Sequence, residues 1–369
     1  MNLGILAFTI EGIFMKQNLL QVDFNLWHYF CNMSCYYCVK HIPYYRSGDM
    51  IYIIKNGEYK LLCTVSSMMD RAISCLVKLF EKYSVGIISF SGAETFLFPE
   101  ITDVIAFASK YVYRVQLITN GINLSPVLIS KLEKLSNNIH ISLSLDGNTL
   151  TSNYARTYNN EGALNLSLRA LELLLDSSLS FDIMTVLSKF NIAYSSSFLE
   201  YLAMQKKRIC VQMWPVFGVS DVRLQKDDAA HIMGIIQNYD NLNLILQPRA
   251  YFEAMYDYVR AGVRTIPCFL VNHCVYLNDL GDVKICPCNG LVKFGNVFDV
   301  DTPIPMRHPL CGEPTLKVMP CIQCFINWDI INLYLAGKID LSEITRMSLF
   351  SDKDLTKLLT SIKAQTKTE

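Results

Sequence analysis

The chain has 369 residues, with 33 Lys and Arg against 33 Asp and Glu and 51% hydrophobic residues, enough to bury one large core or two smaller ones. A balanced charge excludes a nucleic-acid binder that works through an overall basic surplus, and no apolar run reaches the length of a membrane span, so neither a nucleic-acid nor a membrane partner is expected. The 13 cysteines, an odd number with no secretory signal, speak against a disulfide framework and for a cytoplasmic setting.

Met1 to Phe14 is apolar, but it carries Glu11 and lacks a basic n-region and a small-residue cleavage site. Residues 1–21 therefore read as an N-terminal arm, not a signal peptide. A strand-like run from Val22 to Phe30, with Val22, Phe24 and Leu26 alternating with polar residues, leads into Cys31-Asn-Met-Ser-Cys35-Tyr-Tyr-Cys38. Thiolates are the usual ligands of iron–sulfur clusters. Three on one tight loop hold three irons of a [4Fe–4S] cube and leave the fourth open to another ligand. A structural zinc with its fourth ligand elsewhere, His41 for example, uses the same residues.

Residues 49–63 form a hairpin with Asn56-Gly57 at its turn, either a lid or partner surface beside the cysteine loop or plain decoration. A helical pattern follows from Ser66 to about Lys82. Strand-like runs then alternate with helices: Gly86–Phe90, Val115–Thr119, His140–Leu145, Phe181–Leu187, Ile209–Trp214 and a weaker Leu242–Leu246. This alternation gives parallel strands joined by right-handed crossovers. The strand count suits a partial, open α/β barrel, with a doubly wound sheet as the other solution. Either way ligands sit at the carboxyl ends of the strands. Those ends carry Ser91-Gly92-Ala93-Glu94, Thr119-Asn120-Gly121 and Ser144-Leu145-Asp146-Gly147, with Arg156 close behind. Each is also an ordinary turn sequence.

The cysteine loop resembles the signature of the radical S-adenosylmethionine (SAM) superfamily, Cys-x3-Cys-x-aromatic-Cys, with Tyr37 at the aromatic position. The resemblance implies a partial (β/α)6 open barrel over residues 22–250. It further implies that Cys31, Cys35 and Cys38 hold a [4Fe–4S] cluster whose open iron binds SAM. Gly92-Ala93-Glu94 is similar to the family's Gly-Gly-Glu turn, with Ala93 replacing the second glycine; Glu94 then binds the SAM amino group. Asn120, Ser144 and Arg156 correspond to further SAM contacts, Asp146 to a substrate-facing position, and Asn191 and Trp214-Pro215 fit the same layout.

A second set of cysteines follows, Cys268, Cys274, Cys286, Cys288, Cys311, Cys321 and Cys324, around a hairpin that turns at Asn278 to Gly281. Gly281-x4-Cys286 and Cys321-x2-Cys324, with Cys268 as first ligand, resemble the twitch and SPASM extensions of radical SAM enzymes. This implies one auxiliary [4Fe–4S] cluster in a small cysteine-rich hairpin and helix extension over residues 262–328. A zinc ribbon uses the same cysteines. Cys274, Cys288 and Cys311 are left over: parts of a second cluster, substitute ligands, inert thiols, or, for Cys274 and Cys288, hydrogen donors to a substrate radical. Residues 329–369 read as a helical tail packed over the barrel.

The family resemblance implies reductive cleavage of SAM to a 5′-deoxyadenosyl radical that takes a hydrogen atom from a substrate. One branch crosslinks or epimerises peptides; another oxidises or rearranges small molecules. The implied partners are that peptide or small molecule, a reductant such as flavodoxin or ferredoxin, and a separate peptide-recognition protein, since only a short segment precedes Cys31. A non-catalytic iron–sulfur or zinc scaffold is the reading of a different class.

Overall fold

In the computed structural model of the chain, the structure describes residues 17–25, 30–38, 44–158, 161–217, 220–284, 293–299 and 324–366. The elements run β1 (Gln17–Asn25), β2 (Tyr44–Ser47), β3 (Met50–Lys55), β4 (Glu58–Thr64), α1 (Val65–Lys82), β5 (Tyr83–Ser91), α2 (Ile101–Ala108), β6 (Val112–Thr119), α3 (Pro126–Leu135) and β7 (Ile139–Ser144). They continue with β8 (Thr157–Tyr158), β9 (Glu161–Gly162), α4 (Leu164–Asp176), β10 (Ser180–Leu187), α5 (Ser195–Ala203), β11 (Cys210–Pro215), α6 (Ala229–Gln237), β12 (Ile245–Leu246) and α7 (Arg249–Ala261). The last are β13 (Cys274–Asn278), β14 (Asp282–Lys284), β15 (Lys293–Asn296), α8 (Asp329–Leu335), α9 (Leu341–Thr345) and α10 (Lys353–Thr366).

The main sheet has the order β12-β11-β10-β7-β6-β5-β1-β13-β14-β15 and is parallel from β12 through β13. Its strands alternate with helices, as the sequence pattern requires, and the fold is the partial, open α/β barrel expected for this class. The strands form because they are buried on both faces, as in β5, where Val85 to Phe90 are all buried. Helix α1 starts where the Thr64 side chain accepts a bond from Ser67 N, and it buries Met68, Ala72, Cys75, Leu76 and Leu79 on one face.

Two boundaries differ from the sequence reading. β1 begins at Gln17, inside the expected N-terminal arm, because Leu19, Leu20 and Val22 are buried and the strand pairs with β5 from Gln17↔Tyr83 onward. The described strands of the cysteine-rich hairpin join the main sheet. β13 pairs in parallel with β1, from Gln21↔Cys274 to Asn25↔Asn278, and β14 and β15 continue the sheet in antiparallel fashion. Without β13, that side of β1 would be an unpaired edge.

The Asn56-Gly57 hairpin is present, with φ of 53° and 79° at its two turn residues, the left-handed pair that a two-residue turn needs. β2 joins it as a third strand. Tyr44 at the start of β2 packs on Phe30, next to Cys31, and on Phe98. Tyr45 contacts both Tyr52 and Tyr59 across the sheet.

The helical tail lies at the amino-terminal ends of the barrel strands. The Arg114 guanidinium donates to Ser351 Oγ and Ser348 O. Gly86 lets this layer close: a Cβ there would lie 2.6 Å from Leu358 Cδ2 and 2.9 Å from Leu20 O.

A polar belt crosses the barrel. Ser89 Oγ donates to Gln116 Oε1, and Gln116 Nε2 donates to Ser142 Oγ. His140 Nε2 lies 3.0 Å from Asp182 Oδ2, which also accepts from Gln212 Nε2. Asn327 Nδ2 closes the belt on Gln212 Oε1. Most buried polar groups in folded proteins are paired in this way. Residues two positions further along these strands share the same face, and there Ile118, Ser144 and Trp214 line a cavity.

Candidate active site

The cavity holds about 390 Å³ and opens at the carboxyl ends of the strands. Its walls bring together Cys31, Cys35, Cys38, Tyr37, Gly92, Ala93, Glu94, Asn120, Ser144 and Arg156, ten positions drawn from five separated stretches of sequence. Met33, Thr119, Val186, Val216 and Phe217 complete it. Sequence reasoning did not single out Met33, Val186, Val216 or Phe217, and it took Thr119 only as part of a strand end. Val186 was findable, since it shares strand parity with Asp182 and Met184 near the end of β10.

The cysteine loop is strapped to the chain around Arg156. Ser34 N donates to Thr157 O at 3.0 Å, and Tyr36 N donates to Ala155 O at 2.8 Å, so Cys35 is bracketed by two backbone bonds. A tight turn, Cys38 N to Cys35 O at 2.9 Å, sets the last two thiols. Burial pushes the Cys31 thiol up to about 12, with Glu94 adding to it, and burial also raises Cys35. Clustered thiols of this kind ionise when a cationic guest neutralises them. Among the described residues, no three His, Cys, Asp or Glu side chains close around a single metal ion; the thiols instead share the wall of a larger cavity. His41 lies outside the described residues.

The turn after β5 is built on Gly92, at φ +83°, where a Cβ would sit 1.3 Å from Asn25 Nδ2. This forces Glu94 inward. Its Oε1 accepts from Phe96 N at 3.1 Å and Thr119 Oγ1 at 2.6 Å, and its Oε2 accepts from Asn120 N at 2.8 Å. Burial raises its pKa, although these bonds and Arg156 oppose the shift. A carboxylate accepts about four bonds, so one position remains for a cationic ligand group.

Asn120 Nδ2 reaches back to Asn32 Oδ1 in the cysteine loop. Tyr37 OH donates to Asp146 Oδ2 in a short bond and accepts from Arg156 Nη1 at 2.9 Å. The Asp146 carboxylate also accepts from Val186 N. It is turned into this network and does not line the cavity, unlike the substrate-facing position expected for it. Arg156 does line the cavity, and its Nε has no hydrogen-bond partner among the described residues.

The structure does not bring Cys274 to the cavity. It is the first residue of β13, opposite Gln21, whereas the cavity opens beyond the far end of these strands. Cys286, Cys288, Cys311 and Cys321 lie outside the described residues. Cys268 and Cys324 both lie near Arg264. This guanidinium donates to Cys324 O at 3.1 Å and makes a short ion pair with Asp329. Burial works against the Arg264 cation, but Asp329 and the two cysteines outweigh it and hold its pKa above the ordinary arginine value. A fixed positive charge beside two thiols suits an anionic cysteine-ligated centre.

A cavity that gathers three loop cysteines, a buried carboxylate and an arginine at the strand ends of a partial barrel has the make-up that radical SAM chemistry needs. Residues 26–202 match the family model described as the radical SAM superfamily, a span that takes in the cysteine loop, Gly92–Glu94, Asn120, Ser144 and Arg156. The domain implies a [4Fe–4S] cluster and SAM, and the donor set fits both.

Among solved structures, anSMEcpe with bound AdoMet and Kp18Cys peptide is similar at 17% identity and TM-score 0.54, over 76% of this chain and 78% of that one. Streptococcus suis SuiB bound to its precursor peptide SuiA is similar at 13% identity and TM-score 0.52, over 80% and 67%. No curated protein matches in sequence. No helix among the described residues is long and apolar enough to cross a membrane.

Proposed function

We propose that the chain is a peptide- or natural-product-modifying radical SAM enzyme. The carrying observation is the convergence of Cys31, Cys35, Cys38, Glu94, Asn120 and Arg156 on one cavity. Cys31, Cys35 and Cys38 hold the SAM cluster; when bound, cluster and SAM together supply a 5′-deoxyadenosyl radical that takes a hydrogen atom from the substrate. Glu94 accepts from the SAM amino group, while Gly92 and Ala93 offer a close backbone. Arg156 would pair with the SAM carboxylate, and Tyr37, Asn120 and Ser144 complete the wall. The remaining task of the protein is orientation and the exclusion of water and oxygen.

Cys268, Cys286, Cys321 and Cys324 hold one auxiliary [4Fe–4S] cluster, and Arg264 balances its charge. The substrate is a peptide, as in the peptide-bound complexes of anSMEcpe and SuiB, and the reaction is a crosslink or an epimerisation. A flavodoxin or ferredoxin supplies electrons, and a separate recognition protein delivers the peptide.

The test is anaerobic reconstitution, iron counting and dithionite-driven SAM cleavage, on wild type and on the Cys31/Cys35/Cys38 triple Ala variant. The expected result is about eight irons falling to about four, with 5′-deoxyadenosine formed by the wild type alone. Bound zinc, or no cleavage by the fully loaded wild type, overturns the reading.

A further inference from the structure

The cysteine loop carries a phenol, and two buried charged groups are set against it. Tyr37 OH sits between Asp146 Oδ2 and Arg156 Nη1, while the arginine and the carboxylate stand 3.9 Å apart. Asp146 and Arg156 are 4% and 6% exposed. Asn191 Nδ2 and Asn153 Oδ1 pin the Asp146 backbone from two sides, and Val186 N pins its carboxylate. The hydroxyl acts as a wedge. Without it the ion pair, now 3.9 Å across, could close to direct contact.

The Arg156 charge bears on Cys35. Arg156 lines the same cavity wall as Cys35, whereas Asp146 does not. The Arg156-bearing segment is fixed against the loop by the Ser34–Thr157 and Tyr36–Ala155 backbone bonds. Cys35 thus sits in the field of a buried, unequally balanced ion pair. In a low-dielectric site such a field is strong, and net local charge is one of the determinants of cluster reduction potential.

We propose that Tyr37 is a positioning residue that holds Arg156 apart from Asp146 and beside Cys35, so that the pair raises the reduction potential of the SAM cluster. The inference rests on the cluster assignment made above. A more positive neighbourhood stabilises the reduced, more negative cluster, so the external one-electron donor has less to overcome.

The experiment is an anaerobic redox titration of the reconstituted full chain without SAM, read by electron paramagnetic resonance. The signal is identified by its absence from the Cys31/Cys35/Cys38 triple Ala variant, and iron is counted for every protein. Tyr37→Phe and Arg156→Gln are expected to lower the reduced-to-oxidised ratio at the wild-type midpoint about tenfold, a shift of about 59 mV for one electron. Asp146→Asn is expected to shift it the other way, and Arg156→Lys to restore most of the wild-type value. A merely structural role would not give opposite signs for the two charge variants. Tyr37→Phe removes one oxygen and no charge, so it decides the matter if Arg156→Gln fails to fold. Unchanged midpoints at full iron, or shifts of the same sign in Arg156→Gln and Asp146→Asn, overturn the inference. A wild type that binds no cluster fails at the iron count, before the titration, and overturns the assignment beneath it.

Discussion

Asn120 ties the end of β6 to the cysteine loop: its Nδ2 donates to Asn32 Oδ1 at 2.7 Å and lies 3.8 Å from Cys31 Sγ. The same residue gives its backbone N–H to Glu94. Asn120 therefore ties the thiol loop to the buried carboxylate, alongside the direct bond from Glu94 N to Phe30 O.

Asn120→Ala is expected to leave the fold intact and to lose one or two hydrogen bonds, about 1–3 kcal/mol. The loss should fall on SAM affinity, about tenfold or more in Kd by equilibrium binding, with iron content near wild type. Iron lost in proportion to SAM binding would contradict this division.

Glycine is required at position 92 for two separable reasons, the left-handed φ and the contact with Asn25. Gly92→Ala should destabilise the protein by roughly 2–4 kcal/mol. Adding Asn25→Ala removes the clash but not the strain, so the double variant should recover part of the loss. Denaturant unfolding in a double-mutant cycle measures the coupling; strict additivity would show that the clash is relieved elsewhere.

The Arg264–Asp329 pair is 3% and 0% exposed. Asp329→Asn leaves a buried cation without its partner and is expected to cost roughly 3–5 kcal/mol. Replacing both residues, Arg264→Met with Asp329→Leu, should cost less than the single change. Urea unfolding of the metal-free protein reads both.

His273 gives the chain a built-in acid sensitivity. Burial pushes its pKa down to about 4, against about 6.5 in an unfolded chain. Between these values the unfolded state binds more protons, so stability rises with pH across that window and is flat above it. The full span is worth about 3 kcal/mol. Its carbonyl accepts from Leu20 N and Gln21 N, at the junction of β1 and β13. The melting temperature of wild type should fall between pH 6.5 and 4.5, and His273→Gln should flatten that part of the curve. An equal slope in the variant would assign the effect to another group.

Local pattern carried much of this fold. The strand and helix alternation, the Asn56-Gly57 turn and the cysteine loop were all legible, because each depends on neighbours within a few residues. What could not be read are meetings across long stretches of chain. Tyr37 finds Asp146 at a separation of 109 positions and Arg156 at 119, and no periodicity encodes such a pairing. The polar belt from Ser89 to Gln212 was hidden for a different reason. Its residues interrupt apolar strands one at a time, and each interruption alone looks like ordinary variation. The addition of β13 to β1 is a choice of edge, and local hydrophobic pattern does not specify edges.

That choice sets a timetable. β1 has β5 on one side and β13 on the other, with Gln21 opposite both Ile87 and Cys274. The first partner emerges early in synthesis; the second follows roughly 190 residues later, about ten to forty seconds at usual elongation rates. Until then the strand feeding the cysteine loop has one bare flank, and the loop cannot settle fully into its final frame. Iron delivered before then would meet an unfinished receptor, so the cluster should be acquired only once β13 has emerged and paired.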